Sequence, residues 1–328
     1  MSNIMLTERC NLCCPYCFAD EFVNVEHHEI TEPNFLKAID FLVSGKKIGS
    51  RVGLIGGEPT LHTRFGDLLR HTLKDDRVKE AVIFTNGILL DETFDITAAD
   101  KFNYLINLNS PSVMGDKGFD RIVNNIDIIV NRLNKRRSLT VGLNLYDPNM
   151  DCSFFVDTLK EYQISHARLS IAVPNHSRSG GFEQFAYMKE LVYSLYVDLL
   201  YLGIDVIFDC NMPPSCVWTE EEFNKLSLIQ ANFGSTRRGF DLKANKCRPV
   251  IDILPDLTAV RCFGLSDTTK VPIKDFENID ALYDYYKETV DCRLCKLPTT
   301  ADCRECKMFA DGTCFGGCLL NKGSIRGR

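Results

Sequence analysis

An α/β protein with parallel strands is what this sequence predicts, and three observations predict it. Short apolar runs alternate with longer amphipathic stretches through the first two thirds of the 328 residues. Small and polar residues gather where the apolar runs end, the edge at which α/β folds place their working groups. The fifteen cysteines fall mainly in two groups, four within residues 10–17 and eight within residues 247–318, so a metal-rich segment stands at each end of the alternating region. Strand and helix in strict alternation imply parallel pairing through right-handed helical crossovers, and about six such units point to a partial or complete barrel followed by a small cysteine-rich domain.

In chain order the candidate strands are Ile4–Thr7, Val52–Ile55, Ala81–Thr85, Tyr104–Asn107, Leu139–Leu145, Ala167–Val173 and Val206–Phe208. Between the first two, Phe35, Ala38, Ile39 and Leu42 recur at helical spacing, with Pro33 in the first turn, where a missing N–H costs little. Apolar periodicity also predicts helices over Asn124–Leu133 and Met188–Leu202. Ser177-Arg178-Ser179-Gly180-Gly181 is a predicted loop, and a helical connector around Glu220–Ala231 leads toward the cysteine-rich end. The expected organisation is a barrel over residues 1–209, a connector over 210–246 and a cysteine-rich domain over 247–328.

An apolar content of 45% suits an ordinary globular core. The formal charge of −6 and isoelectric point near 5.6 supply no basic field for nucleic acid or anionic lipid. Residues 1–20 lack the pattern of a secretory signal, and no apolar run approaches the roughly 18 residues of a membrane span. A cytoplasmic protein is expected, and in a reducing compartment cysteines in a long chain are metal ligands more often than disulfides.

Cys10, Cys14 and Cys17 stand in the spacing C-x3-C-x2-C, and Gly56-Gly57-Glu58-Pro59 follows the second strand. Three thiolates can hold three irons of a [4Fe–4S] cluster and leave the fourth open for chemistry. The alternative is a structural zinc knot with Cys13 as fourth ligand, although such zinc usually draws thiolates from two separated pairs. A Gly-Gly turn after a strand is, taken alone, more often only a turn. Thr85-Asn86-Gly87 and Asn107–Ser110 end the third and fourth strands in the same manner.

From Thr7-Glu8-Arg9-Cys10-Asn11-Leu12-Cys13-Cys14-Pro15-Tyr16-Cys17-Phe18 together with Gly56-Gly57-Glu58-Pro59, the chain resembles the radical S-adenosylmethionine (SAM) superfamily. The resemblance implies a partial (β/α)6 barrel, with Cys10, Cys14 and Cys17 as cluster ligands and SAM chelated to the open iron. It implies that Tyr16 lies against the adenine and that Gly56, Gly57, Glu58 and Pro59 approach the methionine moiety. Asn109 or Ser110 is a candidate for the ribose hydroxyls or the carboxylate, and Arg168 for a bidentate pair with that carboxylate. Ordinary polar strand ends are the alternative for these three.

Beyond residue 246 the pattern is Cys247-x14-Cys262, Cys292-x2-Cys295, Cys303-x2-Cys306 and Cys314-x3-Cys318, enough thiolates for two four-cysteine centres. This stretch resembles the SPASM/twitch extension of radical SAM enzymes, which implies one or two auxiliary [4Fe–4S] clusters, with Cys247 to Cys262 as its opening hairpin. A full SPASM pattern has C-x2-C-x5-C-x3-C and a later cysteine. Here the third gap is seven residues and no later cysteine follows, so Cys292 and Cys295 are candidate replacements. Paired C-x2-C units also serve zinc ribbons. Cys210 and Cys216 follow the last strand and are candidates for a catalytic hydrogen donor or an auxiliary ligand; Cys152 reads as a buried inert thiol.

The function expected from the resemblance is reductive cleavage of SAM to a 5′-deoxyadenosyl radical that takes hydrogen from a substrate. Peptide modification by crosslinking, epimerisation or oxidation leads, with oxidation or rearrangement of a small metabolite as the alternative. The non-enzyme alternative is an iron–sulfur electron carrier or a zinc-stabilised binding protein. A flavodoxin- or ferredoxin-type reductant is expected. Only nine residues precede Cys10, so a peptide substrate is expected to need a separate leader-binding protein or direct binding in the barrel.

Overall fold

The computed structural model describes residues 2–17, 19, 22–46, 50–172, 183–208, 214–233 and 247–322. Along the chain run β1 (Ser2–Met5), α1 (Glu32–Leu42), β2 (Arg51–Ile55), α2 (Phe65–Lys74), β3 (Glu80–Thr85), β4 (Phe102–Asn107) and α3 (Asp116–Asp127). They are followed by β5 (Leu139–Leu145), α4 (Ser153–Glu161), β6 (His166–Ile171), α5 (Glu183–Tyr201), β7 (Asp205–Phe208) and α6 (Glu220–Phe233). Last come β8 (Asp252–Ile253), β9 (Thr258–Val260), β10 (Val271–Pro272) and α7 (Ile279–Tyr286). Two compact units result: Met1–Leu139 with Pro249–Val290, and Thr140–Arg248 with Asp291–Arg328.

In the first unit the strands lie in the order β10-β9-β8-β1-β2-β3-β4. β1 to β4 pair in parallel, in a register that sets Ser2 opposite Val52, Val52 opposite Ala81 and Ala81 opposite Phe102. β1 is buried throughout, as a strand covered on both faces should be. α1 starts where the sequence predicts: Thr31 caps it by accepting from the Asn34 N–H at 3.3 Å, Pro33 lies in its first turn, and Phe35, Ala38, Ile39 and Leu42 form the buried face. The helical face predicted from Asn124 begins earlier, at Asp116, and ends in a widened turn over Ile128–Arg132. Lys101 donates to the carbonyls of Thr72, Leu73 and Asp75, placing a cation where the last carbonyls of α2 lack partners.

The opening hairpin expected near Cys262 is present as antiparallel β8 and β9, turned by Leu257 at φ +64°. β8 also adds in parallel to β1, and the Asn3 amide donates to the Asp252 carboxylate at 2.6 Å across that pair. Residues 249–290 therefore belong to the same compact unit as the first cysteine loop.

The second unit holds β5, β6 and β7, again parallel, with Val141 opposite Ala167 and His166 opposite Asp205. α4 connects β5 to β6 and lies between them in sequence. α6 begins with a reciprocal cap: the Thr219 hydroxyl accepts from the Glu222 N–H, and the Glu222 carboxylate accepts from the Thr219 N–H. Lys189 of α5 pairs with Glu222 of α6 at 2.8 Å.

Candidate active site

The loop that leaves β1 carries Cys10, Cys14 and Cys17, and backbone hydrogen bonds hold it on two sides. Asn24, in the left-handed region at φ +58°, accepts from the Cys10 N–H at 2.8 Å and donates from its side chain to the Cys10 carbonyl at 3.1 Å. A two-point grip on one residue, through the peptides on either side of its Cα, fixes both position and orientation, and asparagine is among the few residues that tolerate this backbone. Glu8 is buried and accepts from the His28 N–H at 3.0 Å, closing the same loop from below. Phe22 and Val23 pack with Cys17 onto a cluster of Met5, Ala19, Ile55, Leu254, Val260 and Phe263.

The second side is the Gly-Gly-Glu turn. The Gly57 N–H donates to the Thr7 carbonyl and the Glu58 N–H to the Arg9 carbonyl, each at 2.8 Å. The turn lies so close that a Cβ on Gly57 would stand 2.5 Å from the Arg9 carbonyl oxygen, and one on Gly56 2.8 Å from that of Thr7. Neither position admits a side chain while the cysteine loop keeps this course. Glu58 is 1% exposed. One carboxylate oxygen accepts from the Thr60 N–H and from the hydroxyls of Thr60 and Thr85, and the other accepts from the Asn86 N–H at 2.7 Å. Burial pushes the Glu58 carboxyl up, and these four donors oppose the shift. The Asn86 amide then donates to Asn11 at 2.7 Å, so the ends of β2 and β3 are tied back to the cysteine loop. Pro59, also buried, begins the short turn that follows.

Burial pushes the Cys10 thiol up to about 12, opposed by a hydrogen bond from the Leu12 N–H and reinforced by the charges of Glu58, Cys14 and Cys17. Cys14 is likewise raised by burial, with a Tyr16 side-chain hydrogen bond acting against it. Asn109, at the end of β4, directs its amide to the Cys14 sulfur at 3.8 Å. Cys13 is exposed. Among the described residues no three His, Cys, Asp or Glu side chains are drawn together in metal-holding geometry. The donor chemistry nonetheless fits an iron–sulfur cluster: three thiols of one loop feel one another's charge, and ionising them together requires a cationic partner.

Residues 4–151 match the model of the Radical SAM superfamily. This is a radical SAM domain. Enzymes of the superfamily use a [4Fe–4S] cluster and SAM. Similar curated proteins include a GTP 3′,8-cyclase of Clostridium botulinum, 26% identical over 216 residues, which are 62% of this chain and 66% of that protein. Molybdenum cofactor biosynthesis protein 1 of Dictyostelium discoideum is 30% identical over 135 residues, 38% of this chain and 21% of that protein. The chain thus spans less than two thirds of either relative. Among solved structures, Streptococcus suis SuiB bound to S-adenosylmethionine aligns over 97% of this chain and 72% of its own, with TM-score 0.65 and 16% identity. The enzyme anSMEcpe with bound AdoMet aligns over 97% of this chain and 85% of its own, with the same TM-score and identity. At that identity the likeness is one of fold, and the mixed α/β fold with parallel strands is of the radical SAM type.

Beyond the cysteine loop and the glycine turn, the other candidate residues divide between the units. Ser110 begins the short helical turn Pro111–Met114, its hydroxyl 2.7 Å from that of Ser112. Arg168, on β6 in the second unit, is buried and donates to Asn144 at 3.5 Å. Cys262 follows the buried Arg261, whose guanidinium donates to the Cys262 sulfur at 3.8 Å. In the second unit Cys303 and Cys314 are buried, Cys295, Cys306, Cys318 and Cys247 are half-buried, and Cys292 is exposed. The Gly316 N–H donates to the Cys314 sulfur at 3.2 Å, and Thr300 meets the Cys303 sulfur at 3.5 Å.

Cys216 is an exposed residue, yet the protein around its sulfur pushes the thiol up to about 11 by desolvation, and Cys314, Cys303 and Cys306 contribute through their charge, which sets Cys216 in their neighbourhood. Cys152, expected to be buried, is half-buried, and desolvation pushes its thiol up to about 11 with the Asp151 charge adding to the shift. Cys210 and the Ser177–Gly181 loop lie outside the described residues. Asn24 and Asn86 are the site residues that sequence reasoning missed. Asn86 stood inside a noted strand-end motif, whereas Asn24 offered only a polar residue in an irregular stretch.

Proposed function

We propose that this radical SAM enzyme takes hydrogen from a peptide, and that the C-terminal cysteines hold auxiliary iron–sulfur centres. The observation that carries the reading is the fold likeness over 97% of the chain to two proteins whose structures include peptides, SuiB with precursor peptide SuiA and anSMEcpe with a Cp18Cys peptide. Cys10, Cys14 and Cys17 would hold the catalytic cluster, and Tyr16, Gly56, Gly57, Glu58, Pro59, Asn109 and Ser110 would border SAM. When bound, cluster and cofactor supply a 5′-deoxyadenosyl radical. The chain's own contribution is placement: Asn24 fixes the Cys10 peptide, the glycine turn braces the loop, and Glu58 fastens two strand ends beneath it. The charged neighbourhood of Cys216 supports an auxiliary-ligand role over hydrogen donation. A flavodoxin- or ferredoxin-type protein would deliver the electron in the cytoplasm.

The name of the Clostridium botulinum relative, a GTP 3′,8-cyclase, favours a second reading, in which a nucleotide such as GTP is the substrate. The two separate in one assay on reconstituted full-length protein with SAM and dithionite. The peptide reading predicts that a peptide encoded beside the gene raises 5′-deoxyadenosine formation about tenfold and changes in mass, while GTP leaves the rate unchanged. Stimulation by GTP alone, with a cyclised product, would establish the second reading.

A further inference from the structure

Lys322 is a buried cation in the second unit that the catalytic reading does not use. It is 2% exposed. Its ammonium donates to the Leu297 carbonyl at 2.6 Å and lies 5.1 Å from the centre of the Phe309 ring. A Cβ on Gly316 would stand 2.9 Å from its Nζ, and Gly316 is in the left-handed region at φ +71°. These three neighbours belong to three different cysteine-bearing turns. Leu297 follows Cys295, Phe309 lies between Cys306 and Cys314, and Gly316 lies between Cys314 and Cys318.

The turns are also fastened to one another. The Thr299 hydroxyl donates to the Gly316 carbonyl at 2.8 Å, and the Cys314 N–H donates to the Met308 carbonyl at 2.8 Å. Burial lowers the affinity of Lys322 for its proton, and the negative charges of Cys303, Cys314, Cys295 and Cys318 act in the opposite direction. Burial wins at Lys322, whose net shift is downward, and its charge in turn is one of the causes that hold the Cys303 thiol below its ordinary value.

We propose that Lys322 is the built-in counter-charge of the C-terminal cysteine centre, holding the three turns together and making a thiolate-ligated iron–sulfur group there easier to reduce. The inference rests on the auxiliary-cluster reading. The physical reason is that one-electron reduction adds negative charge to a group already anionic through its thiolates, and a fixed cation stabilises the more negative state. Lys322 is a positioning residue by this account, since it acts through the ligands.

The test uses the full chain with Cys10, Cys14 and Cys17 changed to Ala, so that only the C-terminal centre reports. Iron, sulfide and zinc contents and an electron-paramagnetic-resonance redox titration are compared for Lys322, K322R, K322Q and K322M. K322R should keep both the iron and the potential. K322Q and K322M should fall by at least a tenfold change in the reduced-to-oxidised ratio at fixed poise, 59 mV for a one-electron couple. If K322M does not fold, K322Q carries the comparison, because its amide can still donate to Leu297.

A K322Q or K322M protein that keeps its iron at the parental potential would overturn the counter-charge role. Loss of iron in all three variants would also overturn it, by showing that the shape of lysine matters and its charge does not. Absence of iron from the Lys322 parent, with or without zinc, would remove the auxiliary-cluster reading itself and the role with it.

Discussion

Cys10 and Cys303 are both shielded thiols, and their surroundings push them in opposite directions. Around Cys10, burial raises the thiol, and Glu58, Cys14 and Cys17 add negative charge that raises it further, to about 12. Around Cys303, burial also raises the thiol, but hydrogen bonds from Thr300 and Thr299 and the charge of Lys322 outweigh it, and the net shift is downward. The first region is built for backbone geometry: Asn24, Gly57 and Glu58 fix where the loop runs while supplying no cation to it. The second carries a cation of its own. A loop whose thiols hold their protons this firmly needs a bound cation before they ionise, whereas a site with its own counter-charge is partly prepared in advance.

The comparison breaks most visibly at Glu58. Glu58→Ala removes a buried acceptor from four donors; the two hydroxyls can rotate to other acceptors, and the two backbone N–H groups left unsatisfied, at about 1 to 3 kcal/mol each, set an expected loss of roughly 3 kcal/mol. Chemical denaturation of the full chain would measure it. A loss below about 1 kcal/mol would mean that water replaces the carboxylate and that the strand ends are not held through it.

Gly57→Ala probes the brace itself. Its Cβ would meet backbone, which cannot swing aside, so the cost is about 1 to 3 kcal/mol, and the cysteine loop must shift. Iron bound per protein after reconstitution should fall, with the C-terminal iron unaffected. Equal losses from both regions would show that Gly57 does not act on the first cysteine loop alone.

Asn24→Ala is expected to have the smallest effect, about 1 to 2 kcal/mol, from two lost hydrogen bonds and an unfavourable backbone. Asn24→Gly restores the backbone and leaves the hydrogen bonds missing, so the difference between the two variants separates conformation from grip. SAM-dependent spectral change of the cluster is the readout, and no change in either variant would show that Cys10 is held by its neighbours alone.

Much of this was legible in the sequence wherever one local signal sufficed. β5 coincides with the predicted Leu139–Leu145, and α1 carries its predicted apolar face and proline. β1 runs over Ser2–Met5, earlier than the expected Ile4–Thr7, because the buried Asn3 finds its partner in Asp252, a residue that no local pattern connects to it. α2 escaped notice because Thr72, polar by type, occupies a buried position and donates its hydroxyl to the Leu68 carbonyl, which hides the helical spacing. The spacing of the three cysteines and the glycine turn were visible because both motifs are local. The Asn24 clamp and the position of Lys322 depend on tertiary contacts. Lys322 in particular reads as one more surface lysine until three turns close around it.

The proposed function requires that Cys10, Cys14 and Cys17, and not the C-terminal cysteines, hold the cluster that cleaves SAM. The most direct measurement is 5′-deoxyadenosine formation by anaerobically reconstituted protein with SAM and dithionite, alongside the triple Cys-to-Ala variant, with iron counted in both. The account predicts product from the native sequence alone and a variant that retains C-terminal iron. Product from the triple variant, or none from native protein with its full complement of iron, would contradict it.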